Sequence, residues 1–342
     1  MSTVVSAAAP PLKASLDERT GEVLETEELR TEGLRQLRVA IAAHASKTPS
    51  FQLVRDDPQF LLPFLRARKY EIPRALKVLI EFCKFWYGSP GIVNGLCAER
   101  VRATYELGYM SFLWDAADES RRVVDDMGNN VSLLEISKLD YAKVNNEDMA
   151  RLSLYILLPL FEDERMSRTG LTILESFENF SVLGAMTVAK KTADPDHQKM
   201  LAIGLDTFPM RIRRIFLYKS PTWFNWFWGL VKWFFRKKLR DRLVIVGNDV
   251  AKLHAIVPAD KLPAAFGGTA DIPRGALIDS LAALEQSAGS IGGFALPLRQ
   301  DDPTGSRRKF EAQSAVASAP APEASAAAES IRTSTPTPDV SI

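Results

Sequence analysis

Ten lysine and arginine residues fall between positions 211 and 242: Arg211, Arg213, Arg214, Lys219, Lys232, Arg236, Lys237, Lys238, Arg240 and Arg242. Asp241 is the single acid among them, so the segment carries +9, while the rest of the chain, with 33 basic and 41 acidic residues, carries −8. The whole molecule is close to neutral, at +1. That balance argues against a general polyanion binder, and no nucleic-acid partner is expected. A positive field concentrated on an acidic body suits a local anion instead. Arginine forks match phosphate oxygens in pairs, and lysine adds a point charge. Within the same segment, SPTWFNWFWGLVKWFF (220–235) has eight aromatic residues in sixteen. Aromatic rings beside cationic side chains are the chemistry of a membrane interface with anionic headgroups.

Other chemistries find little to work with. The three histidines, His44, His197 and His254, lie in no HExxH pattern and beside no acidic metal motif, and surface or capping roles are expected for them. No G-x-S-x-G elbow, Walker loop or G-x-G-x-x-G occurs. In Cys97-Ala-Glu-Arg-Val-Arg the second arginine falls one place short of a phosphatase Cys-x5-Arg loop. Cys83 and Cys97 are too few for a disulfide framework, and no metal spacing exists. No catalytic residue, metal or cofactor is therefore expected, and the chain is not expected to be an enzyme. A reducing compartment is the default. The opening MSTVVSAAAPPLK lacks a charged start and a sustained apolar run, so no signal peptide is expected. No stretch of about 18–20 uncharged apolar residues marks a membrane span.

The elements that must position these residues follow from pattern. With 342 residues, 46% hydrophobic and 25% charged, the chain can bury one large core or two smaller ones. Residues 1–25 are expected to be a flexible N-terminus. From Thr26, Leu29, Leu34, Leu37 and Ile41 mark a helix. Asp57-Pro58 gives an N-cap followed by proline at the first helical position. Glu71-Ile72-Pro73 opens another helix, with Leu76, Leu79, Ile80, Cys83 and Tyr87 as its apolar face. Residues 26–100 therefore read as a helical N-terminal lobe. Beyond about residue 105 short β-rich runs alternate with helices. The strands expected are 131–136 (VSLLEI, after the turn Met127–Asn130), 171–176, 212–218 and 243–247. Helices are expected over 146–164 and from Asp194-Pro195 to about Thr207. Such alternation implies a mixed, mostly parallel sheet covered by helices, an α/β fold over 101–285. The Ala/Pro/Ser/Thr-rich tail, 286–342, is expected to be disordered, and from about residue 300, where it offers no core, dispensable for binding.

Two stretches resemble a known family. LLPFLRARKYEIPRALKVLIEFCKFW is similar to the helical lobe that precedes a CRAL-TRIO domain. TFPMRIRRIFLYKSPTWFNWFWGLVKWFFRKKLRDRLVIVGND, followed by LHAIVPADKLPAAFGGT, resembles the second half of that domain. The ordered features are Phe208-Pro209, a strand at 212–218, Pro221, a lid at 222–235, a basic turn at 236–242, a strand at 243–247, then Leu262-Pro263 and Gly267-Gly268. The resemblance covers roughly residues 55–270 and is closest to the tocopherol-transfer and retinaldehyde-binding branch. It implies a sheet flooring an apolar cavity, a mobile lid helix, and a hydrophobic lipid carried to or presented at membranes. Leu158, Ile173, Phe208 and Met210 correspond to cavity positions, and Trp223, Phe224, Phe227 and Trp228 to the lid. That branch holds a phosphoinositide headgroup in a basic cleft, whose members fall here on Arg68, Lys77, Arg211, Arg213, Lys238 and Arg242. The resemblance further implies a monomer, cytoplasmic and reversibly associated with anionic membrane surfaces.

Two departures bear on cargo. The phosphatidylinositol-transfer branch places an acid after the aromatic-proline step, and Met210 stands here, which favours a more apolar ligand, although Arg242 still matches that branch. Glu175 stands in a strand where relatives place an apolar residue. It is a polar anchor in the cavity, an outward charge, or displaced by one register. The aromatic segment, apolar almost all round, is either a buried core helix or a lid facing a membrane, and its basic neighbours favour the lid. The alternative to lipid transfer is a lipid-sensing module that recruits a partner to membranes.

Overall fold

Thr26 opens the first helix. Its hydroxyl accepts from the Leu29 amide at 3.2 Å, and α1 (Glu27–Lys47) follows with Leu37 and Ile41 buried. Asp57 does the same for α2 (Pro58–Ala67), accepting from the Phe60 amide at 3.0 Å while Pro58 takes the position where a missing N–H costs nothing. These elements belong to a computed structural model that describes residues 12, 14–18, 21–114, 121–195, 207–234, 237–272 and 275–288. α3 (Ile72–Gly88) begins at the expected Glu71-Ile72-Pro73, although Glu71 makes no side-chain cap. Its core face is rotated from the one expected: Leu79 and Cys83 are buried, but Tyr87 is exposed, and Val78, Phe82, Phe85 and Trp86 fill the interior. Bulk decides this, because an aromatic-rich helix buries its largest rings wherever neighbouring helices leave room. The short α4 (Pro90–Val93) and α5 (Ala98–Glu106) complete the helical lobe.

The sheet runs β1 (Met110–Phe112), β2 (Asn130–Glu135), β3 (Leu171–Ser176), β4 (Ile212–Tyr218) and β5 (Leu243–Gly247), in that spatial order. β1 is antiparallel to β2, and the other neighbours are parallel. This is the mixed, mostly parallel α/β fold expected. The turn before β2 is held by Asp125, which accepts from the Asn129 amide at 2.8 Å, from Thr172 at 2.5 Å and from Arg214. Burial alone would raise this carboxyl; its hydrogen bonds from Thr172, Arg214 and Asn129 instead hold it below the usual range.

The connections are helical: α6 (Asn146–Glu162), α7 (Glu164–Thr169), α8 (Val182–Ala193), α9 (Phe224–Val231), α10 (Lys237–Arg240), α11 (Val250–His254) and α12 (Ala276–Ala288). The helix expected from Asp194-Pro195 to Thr207 falls mainly outside the described residues, as do His197 and residues 289–342. Residues 286–288, expected in the tail, instead finish α12. That helix docks onto the helical lobe. Glu285 accepts from the Ala98 amide at 2.9 Å and from the Tyr155 hydroxyl at 2.8 Å, and Arg102 pairs with Asp279 at 2.8 Å. One apolar cluster therefore runs from Leu37 to Leu281, centred on Phe60, Phe64, Phe82, Phe161 and Phe208. A second, with Val131, Leu133, Leu174 and Phe216, lies under α11 and the closing segment that contains Leu262 and Phe266. Gly268 is required there, because a Cβ would meet the Leu262 carbonyl oxygen at 2.0 Å.

Residues 1–25, expected to be loose, are not uniformly so. Leu16 pairs antiparallel with Val23, and Leu12, Ala14 and Val23 pack against the main core.

Candidate functional site

The two faces of the sheet are built from similar residues and sealed differently. On one face Val131, Leu133, Thr172, Leu174 and Phe216 are all buried. On the other, the register sets Leu134, Glu175 and Leu217 side by side, with Ser132, Ile173 and Ile215 in the next row and Leu243 and Ile245 continuing onto β5. Leu134, Ile173, Glu175 and Leu243 are only half-buried there, and Ile245 is exposed. On the edge strand β5 exposure marks neither face, since Val244 on the first is open as well; on the interior strands Leu134 and Ile173 keep accessible surface that leaves a recess there, since each Å² left open forgoes about 25 cal/mol of burial.

Glu175 stands in that recess. It retains accessible surface, yet the protein around it is dense enough that desolvation raises its carboxyl to about 7. Both hold for a side chain facing an internal space and not bulk water. The register is regular at this point and sets it beside Leu134 and Leu217, on the sheet face that α8 and α9 cover. Ile173 shares that face. Leu158 and Phe208 lie fully inside the helical core instead, and Met210 packs half-buried against it.

α8 and α9 roof the recess. Phe177, Phe180, Ala185, Ile215, Leu217 and Phe224 form one cluster, with Ile173, Trp223, Trp228 and Leu243 at its margin. The Phe224 ring lies 4.7 Å from that of Phe177, and Trp223 lies 5.9 Å from Phe180. α9, where a lid is expected over 222–235, is shorter than that range, ending at Val231 and passing into a 3₁₀ turn at Lys232–Phe234. The side chain of Phe227 lies outside those described. Trp226 and Trp233 face outward, 69% and 72% exposed. Lys232 and Arg240 each lie 5.2 Å from the Trp233 ring centroid, so ring and cations share one outward surface.

Three of the arginines expected in a cleft gather around the end of α7. Arg211 donates to the carbonyls of Ser167, at 3.4 Å, and Arg168; Arg213 donates to that of Thr169 at 2.7 Å. These are the last carbonyls of α7, which lack helical partners. Gly170 permits the approach: its φ is +108°, and a Cβ would lie 2.4 Å from the Arg211 carbonyl oxygen. Arg242 donates to the Ile212 carbonyl. Burial, followed by repulsion from Arg213, pushes Arg211 down to about 10, with Arg242 and Arg66 adding to the effect. Burial also lowers Arg213 and Arg242.

The described contacts thus bring together three of the six expected cleft residues and add Arg66 and Arg168. Arg66 is 5% exposed and binds Glu25 through two 2.8 Å contacts and Ser167 through a third. Nothing in the spacing of Leu65-Arg66-Ala67-Arg68 marks which arginine turns inward. Arg68 caps α2, donating to the Ala67 carbonyl at 3.3 Å, and Lys77 stands exposed on α3. The side chain of Lys238 lies outside those described. Beside the cluster opens a cleft of about 680 Å³ whose walls include Glu22, Glu25, Glu164, Arg165, Arg168 and Thr169. His44 and His254 sit in the last turns of α1 and α11. No helix among the described residues is long and apolar enough to cross a membrane.

Parts of the chain are similar to known proteins. Residues 120–268 match the family model of the CRAL/TRIO domain. The chain is 27% identical over 222 residues to Clavesin-1 of Xenopus laevis, covering 65% of this chain and 64% of that protein. It is 26% identical over 214 residues to the alpha-tocopherol transfer protein-like protein of Homo sapiens, covering 63% and 59%. The match thus spans less than two thirds of either relative. A solved structure, that of Sfh5, aligns at a TM-score of 0.48 with 13% identity, over 78% of this chain and 99% of the other. Over residues 120–268 the chain is thus similar to the CRAL/TRIO domain, the family its sequence resembles.

Proposed function

We propose that this chain, with its similarity to the CRAL/TRIO domain, binds one hydrophobic lipid between the sheet and α9 and exchanges it at anionic membranes. The observation that carries the reading is the unsealed apolar sheet face under an aromatic roof whose other side turns Trp226 and Trp233 outward. Pockets for apolar ligands have few polar groups, and those present fix orientation. Glu175 is such a group, flanked by Leu134 and Leu217. With a carboxyl near 7, it can donate or accept one hydrogen bond, which suits an apolar lipid bearing a single hydroxyl or carbonyl better than a bulky charged headgroup. The relative named for tocopherol transfer fits that class. The name supports lipid exchange as the activity, and no enzymatic step is assigned.

In this reading the outward tryptophans enter the interface and the cations beside them meet anionic headgroups. Each engaged Lys or Arg contributes about 1 kcal/mol. Phosphoinositides engage Arg211, Arg213 and Arg242, and binding there favours the open lid. The test is organic extraction and native mass spectrometry of the full chain purified from its host, followed by transfer of the recovered lipid between vesicles. Recovery of stoichiometric lipid and its transfer is the expected result. Absence of any bound lipid, with fluorescent sterols, tocopherols, retinoids and phospholipids all failing to bind, overturns it. Tight binding without transfer points to the lipid-sensing alternative.

A further inference from the structure

The arginine cluster is occupied by the chain's own carboxylates. Residues 14–18 and 21–25 form a short antiparallel pair ahead of α1. The Leu24 amide donates to Ser15 at 2.8 Å, the Asp17 amide to Glu22 at 2.7 Å, and Gly21, at φ +63°, donates to Asp17 at 2.8 Å. This pair delivers Glu22 to within 3.6 Å of Arg213 and Glu25 to Arg66, with Arg168 4.0 Å from Glu25. The compensation is partial. Nε and Nη1 of Arg211 and Nη2 of Arg213 are buried with no hydrogen-bond partner, a state that ordinarily costs about 1–3 kcal/mol per group. Three arginines, Arg211, Arg213 and Arg242, repel one another there.

The pair is held unevenly. Glu25 is fixed on the buried Arg66, and Val23 and Ala14 touch the core, but Leu16 and Leu24 are 40% and 54% exposed, and Glu22 meets Arg213 only at 3.6 Å. A stretch with few buried contacts opens at low free-energy cost. A carboxylate offers one charge and two oxygens, while a phosphomonoester offers nearly two charges and three acceptor oxygens. The stronger anion also supplies acceptors for the arginine N–H groups that Glu22 leaves unpaired.

We infer that the pair formed by residues 14–18 and 21–24 is a built-in competitor for the anion site, closing it through Glu22 until a phosphate-bearing anion displaces that carboxylate, with Glu25 staying on Arg66. This inference rests on the cluster being the anion site proposed above. The shared ligand chemistry is a clustered phosphomonoester, either on a lipid headgroup or free in solution. Displacement frees Glu22 from the cleft and makes anion binding and opening of the Asp17–Glu22 and Ser15–Leu24 pairing one event.

The experiment uses the full chain with two probes: phosphatidylcholine vesicles with or without phosphatidylinositol bisphosphate, and soluble inositol hexakisphosphate. Hydrogen exchange at the Asp17 and Leu24 amides is followed alongside binding. Either probe that binds is expected to speed exchange at both amides. Glu22→Gln is expected to tighten binding by about fivefold, the scale of one partly exposed ion pair, and Glu22→Asp to restore part of the competition. Arg211→Gln/Arg213→Gln serves as the control for the site itself. Should that double variant bind both probes as well as the unaltered chain, the anion site is misplaced. Should it lose binding while Glu22→Gln changes nothing and the two amides stay protected, the site stands and the competitor does not. Response to one probe only supports the competitor and names the source of its phosphate.

Discussion

At the scale of single residues, Glu175 is the clearest departure from an apolar pocket, and its behaviour with pH follows from its surroundings. Its ordinary value is 4.5 and desolvation raises it to about 7 in the folded chain. A carboxyl whose folded pKa lies above its unfolded one holds its proton more tightly in the native state. Its contribution to stability is therefore complete below about pH 4.5 and is lost as pH rises through about 7. Glu175→Gln keeps the shape and cannot ionise. Subtracting its melting temperatures from those of the unaltered, lipid-free chain across that window should give a difference that falls steadily as pH rises. A flat difference would show that Glu175 meets water freely. With lipid bound, Glu175→Leu should weaken a hydroxyl-bearing cargo by about tenfold, the scale of one hydrogen bond in a buried site, while sparing a hydrocarbon of similar shape. Competition binding with such a pair reads this directly.

At the scale of elements, α9 separates two roles that its composition merges. Phe224 is 2% exposed against Phe177, whereas Trp226 stands two residues on and is mostly open to solvent. Phe224→Ala removes a buried ring and should destabilise the chain by about 3 kcal/mol and loosen cargo retention everywhere. Trp226→Ala and Trp233→Ala should leave stability within about 0.5 kcal/mol and reduce association with anionic vesicles. If the outward pair instead costs as much stability as Phe224, the helix is a core element and its membrane face is wrong. The contrast between the two sides is legible in the sequence, because a helix apolar all round must turn one side away from the core. So are β3, β4 and β5, whose β-branched runs LTILES, IRRIFLY and LVIVG begin and end where the strands do. α8 is not. Ser181 caps it by accepting from Gly184 at 3.0 Å, but Val182, Leu183 and Met186 are exposed, so apolar spacing there does not report a buried face. The short pair formed by residues 14–25 is equally hidden, since it depends on Arg66 and Arg213, distant in sequence. Of the cleft, basic character is readable; which guanidinium groups turn inward to the end of α7 is not, because that depends on the close approach at Gly170.

At the scale of the whole molecule, charge is divided between a +9 segment and a −8 remainder, and the division should govern where the protein acts more than what it holds. Arg211 and Arg213 belong to both the charge and the frame, because part of each guanidinium is spent on the carbonyls of α7. Replacing both with glutamine keeps some of those hydrogen bonds while removing the charge. The double variant should transfer lipid to phosphoinositide-containing vesicles several-fold more slowly, transfer to neutral vesicles at the original rate, and hold its cargo with unchanged affinity. Salt should imitate it, since screening shortens from about 10 Å at 0.1 M to about 3 Å at 1 M, and the effect should vanish on neutral vesicles. A headgroup can shift the lid only by binding its open form better than its closed one. The cargo-loaded, closed chain should therefore bind soluble headgroup more weakly than the same chain mixed with acceptor vesicles. Equal slowing on both vesicle types would mean that the substitutions had disturbed α7 and β4 and not the membrane step. Normal transfer to both would return the basic segment to an ordinary solvated surface.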